Sequence, residues 1–320
     1  MPTVLALAEN DLPLPQQPHV AYLASLSSTE SRRTMAKALG AIVAVLMGDL
    51  TNIRDRSPFS RIPWHKLTHD DTAAIRATLL EQYSPATVRV YLSALRGVLY
   101  QAWKLGQMSS EDYQEAADLE GVPGETPPAG RELKPEELAS LMEACQKDRT
   151  PAGSRDGAII ALLYAAGLRR AELVAVSCAD YDPMSGRLLV RGKQNKYRSV
   201  YITNEAADAV QDWLIVRGFS DGPLFVSINR GGVLGSSLST QAVYNVLAKR
   251  GQQAGVTNFS PHDLRRSFVH DLLDGGEDIS RVAQLAGHAS VTTTARYGRR
   301  RGENRKKLAR LFHFRYRKRH

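Results

Sequence analysis

Between Pro261 and Tyr297 the chain carries His262, Arg265, His288 and Tyr297, and Arg169 stands about a hundred residues upstream. Histidine and arginine present hydrogen-bond donors, and one guanidinium can grip two oxygens of the same phosphate. A phenol becomes a nucleophile once its proton leaves. Two arginines, two histidines and a tyrosine therefore suit attack on a phosphodiester. No cysteine or carboxylate lies at metal-ligand spacing beside the histidines, and the neighbouring arginines would repel a cation, so neither a metal nor a cofactor is expected.

The elements that must position these groups follow from the local pattern. His262 and Arg265 are three apart and share one face of a helix. Apolar residues at Leu264, Phe268, Val269, Leu272 and Leu273 give that helix a buried side, and Gly275-Gly276 stops it. Asp278 reads as the N-cap of a second helix with Ile279, Val282 and Leu285 turned inward. Gly287 ends it and His288 follows. Tyr297 comes after a run of threonines and Arg296, beyond that helix.

Taken one at a time, each residue also has a purely structural reading: an arginine at a helix end, a lysine on a hairpin, a core histidine, a half-buried tyrosine. Their order decides otherwise. H-x-x-R … G-H … Y resembles the tyrosine recombinase (phage integrase) family, in its simple Xer-like two-domain form. Gly167, Leu168, Arg169, Glu172 and Leu173 match the family's G-L-R-x-x-E-L. Gly192-Lys193-Gln194-Asn195-Lys196 resembles G-K-G-x-K, with glutamine for the second glycine, and Ala286-Gly287-His288 stands for L-G-H.

The resemblance implies roles. Arg169 and Arg265 would hold the scissile phosphate and neutralise the five-coordinate transition state. Lys193, with Lys196 as competitor, would protonate the departing 5′-oxygen. His262 and His288 would donate to the phosphate or shuttle protons. Tyr297 would form a 3′-phosphotyrosyl link that keeps the energy of the broken bond, so that strands rejoin through a Holliday junction without a cofactor. The implied partner is double-stranded DNA with inverted-repeat core sites, bound by a homo- or hetero-tetramer on paired sites, for integration, excision or resolution of DNA elements. No small-molecule substrate is implied. A type IB topoisomerase would share the chemistry without paired sites, and a DNA-binding regulator would leave the site unused.

A competing motif is removed by spacing. Gly186–Gly192 is one residue too long for a phosphate-cradling loop, Gln194 stands where a magnesium-binding hydroxyl belongs, and the segment reads strand to strand.

The 320-residue length favours two domains, and 43% hydrophobic with 23% charged residues fits a soluble globular chain. A formal net charge of +9 favours a polyanionic partner. Cys145 and Cys178 are too few for a disulfide framework and read as core residues in a reducing cytosol. No stretch reads as a signal peptide or membrane span, which makes a cytoplasmic, nucleoid-associated protein the expectation. The expected fold is mostly α, with a small β-hairpin in the catalytic domain, forming a two-domain DNA clamp. Residues 1–17 read as a flexible lead-in and 18–117 as a helical core-binding domain. Its S-P-A-T-V-x-x-Y-L-S-A-L-R helix resembles the family's DNA-facing helix, a resemblance that implies Thr87, Arg89 and Arg96 as candidate DNA contacts, and Val88, Leu92, Leu95, Leu99 and Trp103 form its apolar face. Residues 118–130, rich in Pro, Gly and acid, read as a linker, and 131–300 as the catalytic domain. The basic tail 301–320 carries an apolar i, i+3, i+4 patch at Leu308, Leu311 and Phe312, and the resemblance implies that it packs on a neighbouring protomer.

Overall fold

Prolines in first turns and hydroxyls or carboxylates at N-caps set where most helices begin. A proline there forfeits only an N–H that would have no intrahelical partner. The structure is a computed structural model that describes residues 13, 16–48, 57–124, 130–192, 196–288 and 290–298, with the backbone alone at 57, 58 and 296–298. The lead-in before Pro13, Lys193 and the basic tail thus lie outside the described residues. The chain divides into two compact units, 1–127 and 128–320.

The first unit holds α1 (Pro18–Ser25), α2 (Thr29–Met47), α3 (His69–Gln82), α4 (Pro85–Lys104) and α5 (Ser110–Ala117). Ser28 caps α2 by accepting from Ser31 N–H at 3.0 Å, and Thr68 and Asp71 form a reciprocal capping box on α3. Val88, Leu92, Leu95 and Leu99 are fully buried along α4, against Leu39 and Ile42 of α2. At Gly97 α1 comes so close that a Cβ would meet the Tyr22 ring at 2.2 Å.

Trp103 departs from the expected apolar face: it is 37% exposed and stacks on Tyr113 of α5, with ring centroids 5.6 Å apart. The amphipathic stripe runs out before the last turn of α4, where a second, aromatic contact takes over. The first half of the expected linker is also held. Arg96 donates to the carbonyls of Ala117 and Leu119, Arg76 to those of Glu120 and Gly121, and Arg89 to those of Val122 and Gly124. Three guanidinium groups on α3 and α4 thus clip residues 117–124 to the helical unit.

The second unit holds α6 (Pro135–Lys147), α7 (Pro151–Ala165), α8 (Arg170–Ala175), β1 (Tyr181–Asp182), β2 (Arg187–Arg191), β3 (Tyr197–Tyr201), α9 (Asn204–Arg217), β4 (Val226–Ile228), β5 (Leu234–Ser237), α10 (Thr240–Ala254), α11 (Pro261–Asp274), α12 (Ile279–Ala286) and α13 (Val291–Gly298). The expected β2–β3 hairpin is joined by β1 into an antiparallel sheet of order β1-β2-β3. Because β2 leads into a strand and not a helix, the phosphate-loop reading fails on structure as well as on spacing. The glycine-rich 231–237 stretch folds back on β4, with residues 234–237 as β5. Helix α10 ends at Ala254, where Gly255 takes the left-handed C-cap position. Cys145 is buried, but Cys178 is only half-buried at the edge of the core.

Helix α7 is central, with Ile159, Ile160, Leu162 and Leu163 sealed in the core. Its second turn also anchors a buried ionic network. Asp156, 1% exposed, accepts from Arg155 at 2.7 Å and from Arg250 at 2.9 Å, and Arg250 reaches Asp148 at 2.7 Å. Removing the shared carboxylate takes the described ion-pair partner from Arg155 and leaves Arg250 with Asp148 as its close counter-charge. Asp156→Ala is therefore expected to cost about 3–5 kcal/mol, read as a lower urea midpoint for the second unit.

Candidate active site

The site is built around the last turn of α12. A helix end leaves its final carbonyls without intrahelical donors. Here every one of them is answered. The carbonyl of Ala283 accepts from the N–H groups of Gly287 and His288, and that of Gln284 accepts from Gly287. The next three carbonyls each take an arginine from elsewhere in the unit. Arg198 Nε donates to Leu285 O at 2.9 Å, Arg265 Nη2 to Ala286 O at 2.5 Å, and Arg169 Nη2 to Gly287 O at 2.8 Å. Cations are favoured at a helix C-terminus by its dipole as well as by these bonds.

Glu172 closes the arrangement from below. It is 6% exposed and accepts two bonds from Arg198, at 3.0 and 2.9 Å, and one from Arg169 Nη1 at 2.7 Å. It also accepts from the Arg169 backbone N–H at 2.9 Å, which makes Arg169 the N-cap of α8. Burial pushes the Glu172 carboxyl up, but the hydrogen bonds from Arg198 and Arg169 outweigh it and hold the group at about 2. Arg265 is 1% exposed and also donates to Gly167 O, joining α11 to the turn that carries Arg169.

Gly287 is the hinge of this turn. Its φ of +63° is left-handed, and a Cβ would stand 2.7 Å from Arg198 Nη1. The backbone shape and the close guanidinium each select glycine.

His288 follows directly, half-buried. Burial first, then Arg265, Arg169, His262 and Arg198, disfavour its imidazolium and bring it down to about 4. It is a neutral imidazole at physiological pH. Its Nδ1 lies 2.7 Å from the hydroxyl of Thr294 on α13, itself fully buried. His262 is exposed on the first turn of α11. Its charged form is disfavoured too, by the protein packed around it and then chiefly by Arg265 and Arg266, with Arg169 adding to the effect.

Four of the six expected residues, Arg169, His262, Arg265 and His288, therefore share one neighbourhood. Tyr297 lies near the end of α13, a helix that packs on α12 and α11 and that the threonine run had not announced. Its side chain lies outside the described residues. Lys193 lies between β2 and β3, and Lys196 is exposed at the start of β3. A cleft of about 1120 Å³ opens on this surface, lined among others by Arg169, Lys196, Arg198, Arg281 and His288. Sequence reasoning passed over Arg198 and Thr294. The signal for Arg198 was a lone cation on an otherwise apolar and hydroxyl-bearing strand.

In the first unit Thr87 shares a 3.0 Å hydroxyl bond with Ser84, and Arg89 is exposed while donating to Val122 O. Arg96 is half-buried and turned onto the end of α5. Among the described residues no cluster of histidine, cysteine and carboxylate could hold a metal ion, and no helix is long and apolar enough to cross a membrane.

The sequence profile of the phage integrase family matches residues 131–303, more than half the chain. The chain belongs to the phage integrase family. Tyrosine recombinase XerC of Alcanivorax borkumensis is 31% identical over 256 residues, covering 77% of this chain and 79% of its own. Tyrosine recombinase XerC of Roseiflexus castenholzii is 30% identical over 241 residues, 73% of this chain and 74% of its own. The fold is shared with the XerH site-specific recombinase in a post-cleavage complex with palindromic difH substrate (TM-score 0.64, 19% identity, 93% of this chain and 97% of that one). It is also shared with a lambda integrase tetramer bound to a Holliday junction (TM-score 0.63, 15% identity, 90% and 78%). This recombinase is thus a mostly helical, two-unit tyrosine recombinase, an enzyme that cuts and rejoins DNA strands at specific sites.

Proposed function

We propose that Arg169 and Arg265 bind the scissile phosphate of a core site, that His262 and His288 complete its hydrogen-bonding shell, and that Tyr297 is the nucleophile. The observation that carries this reading is the alignment of Arg169 and Arg265 on adjacent carbonyls of one helix end, with His288 next in the chain. These bonds orient two guanidinium planes before any DNA arrives, so that no reorganisation is needed as charge builds on the phosphate.

The phenol oxygen of Tyr297 attacks phosphorus, and the bond to the 5′-oxygen breaks. Lys193 delivers a proton to that leaving oxygen. The Tyr297 proton passes to the neutral imidazole of His262, while His288 donates to a phosphate oxygen. The 5′-hydroxyl of a partner strand then attacks the 3′-phosphotyrosyl ester and releases the tyrosine. Repeating the exchange on the second strand pair resolves a Holliday junction.

The helical unit acts as the core-binding domain, with Thr87 and Arg89 on its DNA-facing helix. Arg96 contributes by holding the end of α5 as well as by its charge. Four protomers assemble on paired inverted-repeat sites, in the cytoplasm with the DNA. Footprinting on selected DNA, followed by junction resolution with paired and single sites, tests the reading. Relaxation of supercoils without any paired-site product would overturn it in favour of a topoisomerase.

The tail enters here as a trans contact. Deleting residues 307–320 is expected to lower assembly on paired sites by about 10²-fold, the scale of lost avidity, and to affect binding to a single site far less. Synapsis measured by native gel or light scattering reports the difference, and unchanged synapsis would count against the tail's role.

A further inference from the structure

Thr294 lies in a run of three threonines, and nothing in its type would single it out. Its position does. It is completely buried, it sits on α13, and its Oγ1 is 2.7 Å from Nδ1 of His288. It precedes Tyr297 by three residues, or about 4.5 Å along the helix axis. The bond therefore joins the helix that carries the nucleophile to the loop on which Arg169 and Arg265 are clamped.

We infer that Thr294 is a positioning residue that sets both the ring orientation of His288 and the seat of the nucleophile helix. This rests on the proposed roles of His288 and Tyr297. A neutral imidazole has one donor and one acceptor nitrogen, and the partner of one nitrogen decides the state of the other. When the threonine hydroxyl donates to Nδ1, the ring proton is placed on Nε2, where it can be given to a phosphate oxygen. Burial strengthens the selection, since an imidazole nitrogen facing a buried hydroxyl with no bond between them is costly. The hydroxyl is also specific in reach: Thr292 on the same helix is exposed and pairs with Ser290 at 2.7 Å, and only Thr294 turns to the histidine among the described hydrogen bonds.

The same bond couples two geometries that must agree. Moving α13 away from α12 breaks the support of His288, and rotating His288 removes a polar anchor of α13. The bond thereby ties the position of His288 to that of α13, the helix on which Tyr297 stands.

The test uses the full chain and a nicked DNA duplex carrying its footprinted core site, with single-turnover cleavage and DNA affinity measured separately. Thr294→Val keeps the shape and removes the hydroxyl. It is expected to slow cleavage by about 10- to 100-fold, the range for losing the partner of a working histidine, with affinity for DNA and melting temperature close to the parent. Thr294→Ser restores the hydroxyl and is expected to recover most of the rate. In a His288→Ala background, Thr294→Val is expected to add nothing further, since it acts through the histidine. Parental cleavage by Thr294→Val would overturn the inference. So would a full additional loss in the His288→Ala background, or a serine variant as slow as the valine one. Parental cleavage by His288→Ala itself would instead strike the proposed role of the histidine.

Discussion

Tyr297→Phe is expected to bind its core site with the affinity of the parent and never to become joined to it. The phenylalanine ring fills the same space and loses only the oxygen that attacks phosphorus. Arg169 and Arg265 keep their carbonyl partners, because these are backbone oxygens of Gly167, Ala286 and Gly287 that the substitution does not alter. Binding through the two arginines therefore persists, while the covalent step has no nucleophile. Strand cleavage should fall by at least about 10⁴-fold, the scale seen when a nucleophile is removed from an otherwise intact site. The measurement is a denaturing gel of protein with a nicked substrate that traps the adduct. A persisting adduct would move the nucleophile elsewhere, but the alternatives are poorly placed. The Tyr164 hydroxyl donates to Asp271 at 2.6 Å, and burial followed by that carboxylate raises its proton affinity, so it is held as a phenol. Tyr244 is exposed on α10 and is not among the residues lining the cleft beside Arg169 and His288.

What the chain revealed before folding was its local chemistry. His262 and Arg265 were legible because helical spacing puts them on adjoining turns, and Gly287 because a glycine after an apolar helical run marks a left-handed cap. Trp103 was misjudged because periodicity shows which side of a helix is apolar but not how far a neighbour covers it. The hairpin at 226–237 was missed because its glycines and serines carry no alternating pattern, and its register comes from pairing across the turn. The three-arginine clasp was out of reach for a different reason. Arg169, Arg198 and Arg265 come from α8's cap, β3 and α11, and only the packed tertiary structure brings them to consecutive carbonyls. Thr294 was hidden among identical neighbours, and burial alone distinguishes it. The separate assignment of Arg89 and Arg96 to DNA could not foresee that the chain's own 117–124 carbonyls would also claim them.

Glu172→Gln is expected to damage both stability and catalysis, and the two effects can be separated. Among the described ion pairs the carboxylate is the sole counter-charge of Arg198 and Arg169. Replacing it by an amide leaves a buried guanidinium facing an N–H₂ group, a loss of about 3–5 kcal/mol for a broken buried pair. Its titration gives an independent measure. The folded-state value of about 2 lies below the ordinary 4.5, so the native carboxylate binds fewer protons than the unfolded one at intermediate pH. Its contribution of about 3 kcal/mol is complete above pH 4.5 and disappears as pH falls through about 2. The parent should therefore lose more stability than Glu172→Gln on acidification from pH 5 to pH 2. Adding Arg198→Met removes the stranded cation, and replacing both members of a buried pair by neutral groups is often close to neutral for stability. The double variant should thus melt nearer to the parent. It should not recover cleavage, because Arg169 has lost the carboxylate that orients its guanidinium and Leu285 O has lost its donor. A deficit of about 10²- to 10³-fold, that of a misplaced transition-state donor, should remain. Recovery of both properties together would mean that Glu172 serves only the fold. Recovery of stability alone would separate holding the fold together from aiming Arg169 at the phosphate.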